Sequence, residues 1–363
     1  MNFSSELLNW YAENKRDLPW RNTRNPYLIW VSEIIMQQTR VEQGLPYYQR
    51  FISSFPNLKS LANAPLDSVL HLWQGLGYYS RARNMHQAAK QILEDFNGEF
   101  PSTFAEILKL KGVGKYTASA IASFAFGEYT PVVDGNVIRV TSRYLGIYDE
   151  VSKKENVRKI EYFVLQEIQK VKTPDIFNQA IMEYGALYCT PQNPNCQNCL
   201  FNMNCRAFAD DKVNSTPLVK KPAKKQKRFL NYVYFKFLNK GVPSTLVFKR
   251  VQKDIWQDLY ELPLMEQENA KKIDIVDFFH LPKSSGKILK KHSKIIHQLS
   301  HRELHIVFWE CDVSLNAISD TLLTLYELIP QINLSQKAFP VPIVNFINQK
   351  EETEKRLTLD KND

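Results

Sequence analysis

Leu110-Lys-Gly-Val-Gly-Lys-Tyr-Thr-Ala118 lies between two stretches whose apolar residues recur at three- and four-residue steps, the period of a helix. Gly112 and Gly114 open backbone conformations closed to other residues. A Gly-x-Gly turn at a helix start presents free N–H groups that can hold a phosphate oxygen. The stretch therefore has the form of a helix-hairpin-helix, about residues 108–125, in which Gly112, Val113 and Gly114 grip a nucleic-acid backbone without reading its bases. A Gly-Val-Gly turn also joins helices of no special purpose, so the surrounding residues must decide.

Twenty residues on stands Pro131-Val-Val-Asp-Gly-Asn-Val137. Asp134 precedes a helical run and suits an N-cap. It can also face the sugar of a nucleotide whose phosphates the hairpin holds. Upstream, Trp30-Val-Ser-Glu-Ile-Ile-Met-Gln-Gln-Thr-Arg-Val41 sets Glu33 among apolar neighbours in a helix. Desolvation would raise its pKa, as a general acid at neutral pH requires.

Downstream, four of the five cysteines fall within seventeen residues, Cys189, Cys196, Cys199 and Cys205, spaced C-x6-C-x2-C-x5-C. Prolines and asparagines make the segment turn-rich, and a helix from Phe177 to Tyr188 delivers Cys189 into it. Four thiolates on one loop suit one metal centre. Zinc sites usually come as two close pairs, whereas cubane iron–sulfur clusters accept varied spacings. The single close pair favours the cluster and leaves zinc open.

The chain has 363 residues, 44% of them hydrophobic, enough for two cores. The net charge of +9 fits a polyanion partner, although a run at 220–228 supplies six of the positive charges. No basic start with an apolar core resembles a signal peptide, and no apolar run suits a membrane, so a cytoplasmic protein is expected. The pattern is helical to about residue 211, with Asn25-Pro26 and Ala64-Pro65 opening helices and Gly44-Leu-Pro46 interrupting. Residues 212–228 read as a basic linker. After Phe229 the chain turns aromatic-rich and strand-like, with strands at 229–237, 245–248, 294–299 and 304–309 and a helix from Ile318 to Ile329. A mixed α/β domain is expected over 229–348 and an unstructured charged tail over 349–363. Cys311 reads as core.

Together these motifs resemble the endonuclease III superfamily of DNA glycosylases, and within it the adenine DNA glycosylases of the MutY type. Pro19-Trp20-Arg21, Val31 to Arg40, Gly75-Leu-Gly-Tyr-Tyr-Ser-Arg81 and Asp134-Gly-Asn136 all look like that family's motifs. The likeness covers residues 3–210 and, more loosely, 229–345, and it strengthens the cluster reading. It implies an all-α helix-hairpin-helix glycosylase domain (1–211) with a 4Fe-4S cluster on loop 189–205, then a Nudix-like domain. It also implies a monomeric bacterial enzyme of base excision repair, bound to the nucleoid through DNA, that hydrolyses the N-glycosidic bond of adenine in double-stranded DNA opposite 8-oxoguanine or guanine. By resemblance Glu33 is the general acid and Asp134 stabilises the sugar cation, with Tyr116 and Asn136 orienting the two. Gln38, Leu76 and Tyr78 would wedge the duplex, and Trp20, Arg21 and Gln179 would line the adenine pocket. Bifunctional relatives carry a nucleophilic lysine where this chain has Tyr116, and Lys115 is one residue off, so lyase chemistry is not expected. Trp256-Gln-Asp-Leu-Tyr-Glu-Leu-Pro263 looks like the start of the Nudix-like domain, but the Nudix catalytic box is missing. Leu299-Ser-His301 matches the family's Phe-Ser-His loop for 8-oxoguanine, with leucine for phenylalanine, which leaves Ser300 and His301 as the reading pair. A glycosylase/lyase for oxidised pyrimidines and a non-enzymatic iron–sulfur DNA-binding or redox protein are the alternatives.

Overall fold

A computed structural model of the chain describes residues 2–220, 224–267, 278–279 and 286–359. Its contacts form two units, Met1–Asn63 with Asn84–Lys221 and Ala64–Arg83 with Pro222–Asp363. By these contacts residues 64–83, from the middle of the helical sequence, group with the later residues. In that unit Lys249 donates to Asp67 at 2.5 Å, and the Phe339 N–H donates to Gln74 at 2.9 Å.

The first unit is helical. Asn25 caps the helix Pro26–Met36, accepting the N–H groups of Tyr27 and Leu28, with Pro26 at the first position, where a missing N–H costs nothing. Gly44-Leu-Pro46 does not interrupt: helix Val41–Ser54 runs through it, and the break lies at 37–40. Pro46 lies inside that helix, past its first turn, so the helix continues with the hydrogen bond to the Glu42 carbonyl missing. A core of Phe3, Leu7, Val137, Val140, Phe177, Ile181, Tyr184 and Phe201 joins the helices Phe3–Asn14, Gly135–Leu145 and Pro174–Leu187, and Cys189 and Cys199 pack against it. Much of the expected linker belongs to this unit. The Val151 N–H donates to the Leu218 carbonyl at 3.0 Å, and Thr216 is buried. Residues 221–223 lie outside the described residues.

The second unit holds a mixed sheet, with eight strands among the described residues: β1 (Gln226–Asn239), β2 (Val242–Lys249), β3 (Tyr260–Glu261), β4 (Leu264–Gln267), β5 (Gly286–Lys291), β6 (Ile295–Gln298), β7 (Arg302–Val313) and β8 (Glu327–Pro330). β1 is central, parallel to β7 and antiparallel to β2 and β4. β6 and β7 form a hairpin, Gln298 opposite Glu303, so Ser300 and His301 stand at its tip. The expected helix over 318–329 is shorter, Asp320–Leu325, because the chain returns as β8 beside β2. The expected unstructured tail is helical as far as Leu359, continuing Val341–Leu359, and residues 360–363 lie outside the described residues. No described helix is long and apolar enough to cross a membrane.

Candidate active site and cysteine loop

Glu33 is carried inward by its neighbours. From Ile29 to Ile35 its helix is buried without a gap, so the carboxyl cannot reach water freely. The Tyr116 hydroxyl donates to Glu33 Oε2 at 2.6 Å, from the helix Lys115–Phe126 that leaves the hairpin. Burial pushes Glu33 up to about 7; the Tyr116 hydrogen bond and Arg21 pull it down, and Asp134 pushes it further up. Burial and both carboxylates hold Tyr116 well above the ordinary tyrosine range, so its hydroxyl keeps its proton and remains a donor. Glu33, Tyr116, Asp134 and Arg21 therefore share one electrostatic neighbourhood.

Asp134 is the N-cap of helix Gly135–Leu145 and accepts the Val137 N–H at 2.8 Å through Oδ1. Its Oδ2 accepts from Asn136 Nδ2 at 2.7 Å. Burial pushes its pKa above the aspartate value, opposed by these donors and by the charge of Arg139. Asn136 is oriented in turn by Arg139, which reaches its Oδ1 at 2.9 Å, the Gly185 carbonyl at 2.6 Å and the Cys189 carbonyl at 2.8 Å. Hydrogen bonds thus run unbroken from the aspartate to the cysteine loop. Arg139 is three residues beyond Asn136 on one helix, so this partnership was legible in the spacing and was missed.

The pocket residues expected near the base have fixed partners. Arg21 is paired with Glu183 at 2.7 Å and lies over the Tyr11 ring at 5.7 Å. Arg16 binds the same carboxylate. Burial alone would raise Glu183, but hydrogen bonds from Arg21 and Arg16 hold it at about 2. Two guanidiniums share this one carboxylate, so the group keeps a net positive charge beside Glu33. The Tyr11 hydroxyl donates to Gln179 Oε1 at 2.9 Å, and Trp20 packs edge-on against Tyr48 at 5.1 Å. Glu183, one helical turn beyond Gln179, was the missed member of this group.

In the hairpin only Gly112 takes a left-handed conformation, with φ of 73°. A Cβ there would meet the Asn84 side chain at 2.4 Å, so glycine is needed for close approach as well. Gly114 is extended and caps Lys115–Phe126 with no side chain to cover the free N–H groups, and Val113 is buried beneath. Lys115 points away to Glu161, at 2.7 Å. Gln38 and Tyr78 are exposed non-glycine residues with φ of 61° and 46°. Leu76 differs from the expected wedge: it is buried, because its turn closes back on Trp73 and Arg81. Ser300 and His301 are exposed, with Ser300 Oγ 3.1 Å from His301 Nδ1.

Around the cysteines, the donors point at sulfur. Arg143 lies 3.3 Å from Cys189 Sγ and also ties down the carbonyls of Thr190, Pro191 and Thr216. The Tyr184 hydroxyl is 3.1 Å from Cys199 Sγ, and the Phe201 N–H is 3.4 Å from it. Phe201 anchors the loop, stacked on Phe3 at 4.3 Å. All four thiols are free, and among the described residues no three potential ligands converge as the ligands of a single ion would. A cubane gives each thiolate its own iron and so takes sulfurs set farther apart than a zinc tetrahedron does. Burial pushes Cys189 up while Arg143 pulls it down, and the thiols feel one another's charge, as they do on a shared loop.

Comparison with known proteins gives the family. Residues 31–164 match the model of the HhH-GPD superfamily base excision DNA repair proteins, and residues 234–349 match a NUDIX domain. The chain is 38% identical over 309 residues to the adenine DNA glycosylase of Buchnera aphidicola subsp. Schizaphis graminum, covering 84% of this chain and 86% of that one. It is 44% identical over 216 residues to the adenine DNA glycosylase of Mus musculus, covering 57% of this chain and 42% of that one. A solved structure of a thermostable thymine-DNA glycosylase, 28% identical, superposes with a TM-score of 0.53 over 57% of this chain and 95% of that chain. With its helical hairpin, its second mixed-sheet unit and these relatives, the chain belongs to the adenine DNA glycosylases of the HhH-GPD superfamily.

Proposed function

We propose that this protein hydrolyses the N-glycosidic bond of adenine in double-stranded DNA where adenine is mispaired with 8-oxoguanine or guanine. The observation that carries the reading is the pairing of a carboxyl tuned to about 7, Glu33 under the Tyr116 hydroxyl, with a second carboxylate, Asp134, held by its own donors. Adenine leaves poorly until a ring nitrogen is protonated. Glu33 gives its proton to N7, and the bonding pair of the C1′–N9 bond departs with the base. The positive charge left on the deoxyribose is balanced by the Asp134 carboxylate. Water then adds at C1′ and gives up a proton, leaving an abasic site. Tyr116 and Asn136 keep the two acids aimed.

The reacting base must leave the stack. Tyr78 and Gln38, exposed and already in turn conformations, suit the space it vacates, while Trp20, Arg21 and Gln179 receive it. Gly112, Val113 and Gly114 take the backbone phosphate, and the exposed Lys109 and Lys111 beside them add salt-sensitive attraction. Ser300 Oγ can accept the N7 hydrogen of 8-oxoguanine, with His301 beside it. Cys189, Cys196, Cys199 and Cys205 would hold a 4Fe-4S cluster, whose contribution is structural since hydrolysis moves no electrons. An incision assay on A:8-oxoguanine duplexes tests the reading. Strand breaks should appear only after alkali, because Tyr116 cannot form an imine. Breaks without alkali would indicate a lyase, and none in either condition would overturn the reading.

A further inference from the structure

Three surface turns of the second unit meet around one cavity of about 610 Å³, and the one between the other two has no part in the scheme above. Turn 75–79 carries Tyr78, turn 299–302 carries Ser300 and His301, and turn 253–258 lies between them. From the helix Ser80–Asp95 that follows the first turn, Arg83, whose N–H donates to the Tyr79 carbonyl at 3.1 Å, reaches across. It donates to the Gln257 carbonyl at 2.7 Å and pairs with Asp258 at 3.4 Å, both side chains about four-fifths buried. From the second turn, Arg302, directly after His301, pairs with Asp254 at 3.2 Å. Asp254 is fixed from behind by Arg228 and Arg250, at 2.7 and 3.1 Å.

The middle turn is held in an unfavourable shape. Trp256 and Asp258 have φ of 59° and 64°, a region that aspartate tolerates but that a bulky residue such as tryptophan adopts only under compulsion. Strain of this kind persists where the surroundings over-determine it, and it concentrates at functional sites. Here it turns the Gln257 carbonyl and the Asp258 carboxylate toward the same guanidinium. Burial lowers the pKa of Arg83 and Asp258 opposes that, as expected of a matched pair.

We propose that turn 253–258 is a clamp that fixes the turn bearing Tyr78 in register with the turn bearing Ser300 and His301, through Arg83 and Arg302. Arg83 and Asp258 are then positioning residues for mispair choice: insertion of Tyr78 is favoured only where the base opposite adenine fits the serine turn. This rests on the function proposed above. Neither residue touches the adenine or the two acids, so loosening the clamp should leave base release intact and blunt its selectivity.

The test compares Arg83→Met, Asp258→Asn and the double variant with the unaltered chain. Single-turnover excision is measured on A:8-oxoguanine and A:G duplexes, and melting temperatures are recorded. Asp258→Asn keeps shape and tolerance of positive φ while removing the charge. Each single variant should lower the preference for A:8-oxoguanine at least fivefold, with the A:G rate changed less than twofold. The double variant should go no further than the worse single, and Arg83→Lys should recover part of the preference. Equal losses on both duplexes with a lowered melting temperature would mean a merely structural pair and overturn the clamp, as would a preference kept within twofold in both singles. If the unaltered chain releases adenine without preferring 8-oxoguanine, the functional reading itself fails, which the wild-type arm reports separately.

Discussion

The acid pair of the helical unit and the Ser300–His301 turn of the sheet unit solve different problems. Glu33 and Asp134 are withdrawn from water, Glu33 held by the Tyr116 hydroxyl and Asp134 by the Asn136 amide, which Arg139 holds in turn. Ser300 and His301 stand in solvent with their side chains hydrogen-bonded to one another, while the His301 carbonyl accepts from the Gln226 N–H and their flanks are fixed. Chemistry on a bond needs shifted pKa values and therefore burial. Reading a base edge needs groups that water leaves easily when the duplex arrives. Changes to the first region should alter rate, and changes to the second should alter choice.

The largest effects should come from the acids. Asp134→Asn and Glu33→Gln should each lower single-turnover excision by roughly 10²–10⁴-fold while mispair binding stays within about tenfold. Gel-shift and excision on the same duplexes would check this, and near-normal turnover in either variant would remove that residue from the mechanism. Glu33→Gln has a second signature. Because the folded pKa lies near 7, above the unfolded value, the native state binds the extra proton between about 4.5 and 7. Wild-type stability should fall as pH rises through that window, so the variant should gain on wild type from pH 5 to pH 8, by about 3 kcal/mol or less.

Next comes the loop. Phe201→Ala removes a buried ring and should cost about 3–5 kcal/mol, loosening the cysteines. Purified wild type should carry about four irons per chain, and the variant fewer; stoichiometric zinc instead would reverse the metal assignment. The reading turn should be worth less. Ser300→Ala with His301→Ala should reduce the preference for A:8-oxoguanine over A:G by roughly 1–3 kcal/mol with little change on A:G. A full preference retained in that double variant would break the contrast between the regions. Smallest is Tyr116→Phe. Excision should follow a bell, falling at high pH as Glu33 loses its proton through about 7 and at low pH as Asp134 gains one through its raised pKa. Since the tyrosine hydrogen bond lowers the Glu33 pKa, its loss should move the alkaline limb upward, with a rate cost of about 1 kcal/mol. An unmoved limb would mean that Glu33 is not the titrating acid.

Much of this was legible from residue types alone, because some features are local. A proline after a capping asparagine starts a helix at Pro26, alternating aromatics make β1, and a Gly-Val-Gly turn exposes N–H groups whatever surrounds it. Four cysteines on one short loop are close by covalent connection. The apolar neighbours of Glu33 dictated its burial, and burial dictated the direction of its pKa. Other features depended on groups far apart in the chain. No local signal says that residues 64–83 join the sheet unit, that Glu183 is shared by Arg16 and Arg21 from 162 residues or more away, or that Leu76 is covered while Tyr78 is not. Pro46 is a breaker in isolation, yet helix Val41–Ser54 runs through it. The sequence alone determined the chemistry available: two acids, a hairpin turn with free N–H groups and four thiols. The tertiary structure decided which polar groups face which, since a buried charge is placed only by the partners that fold around it, and those partners arrive from every part of the chain.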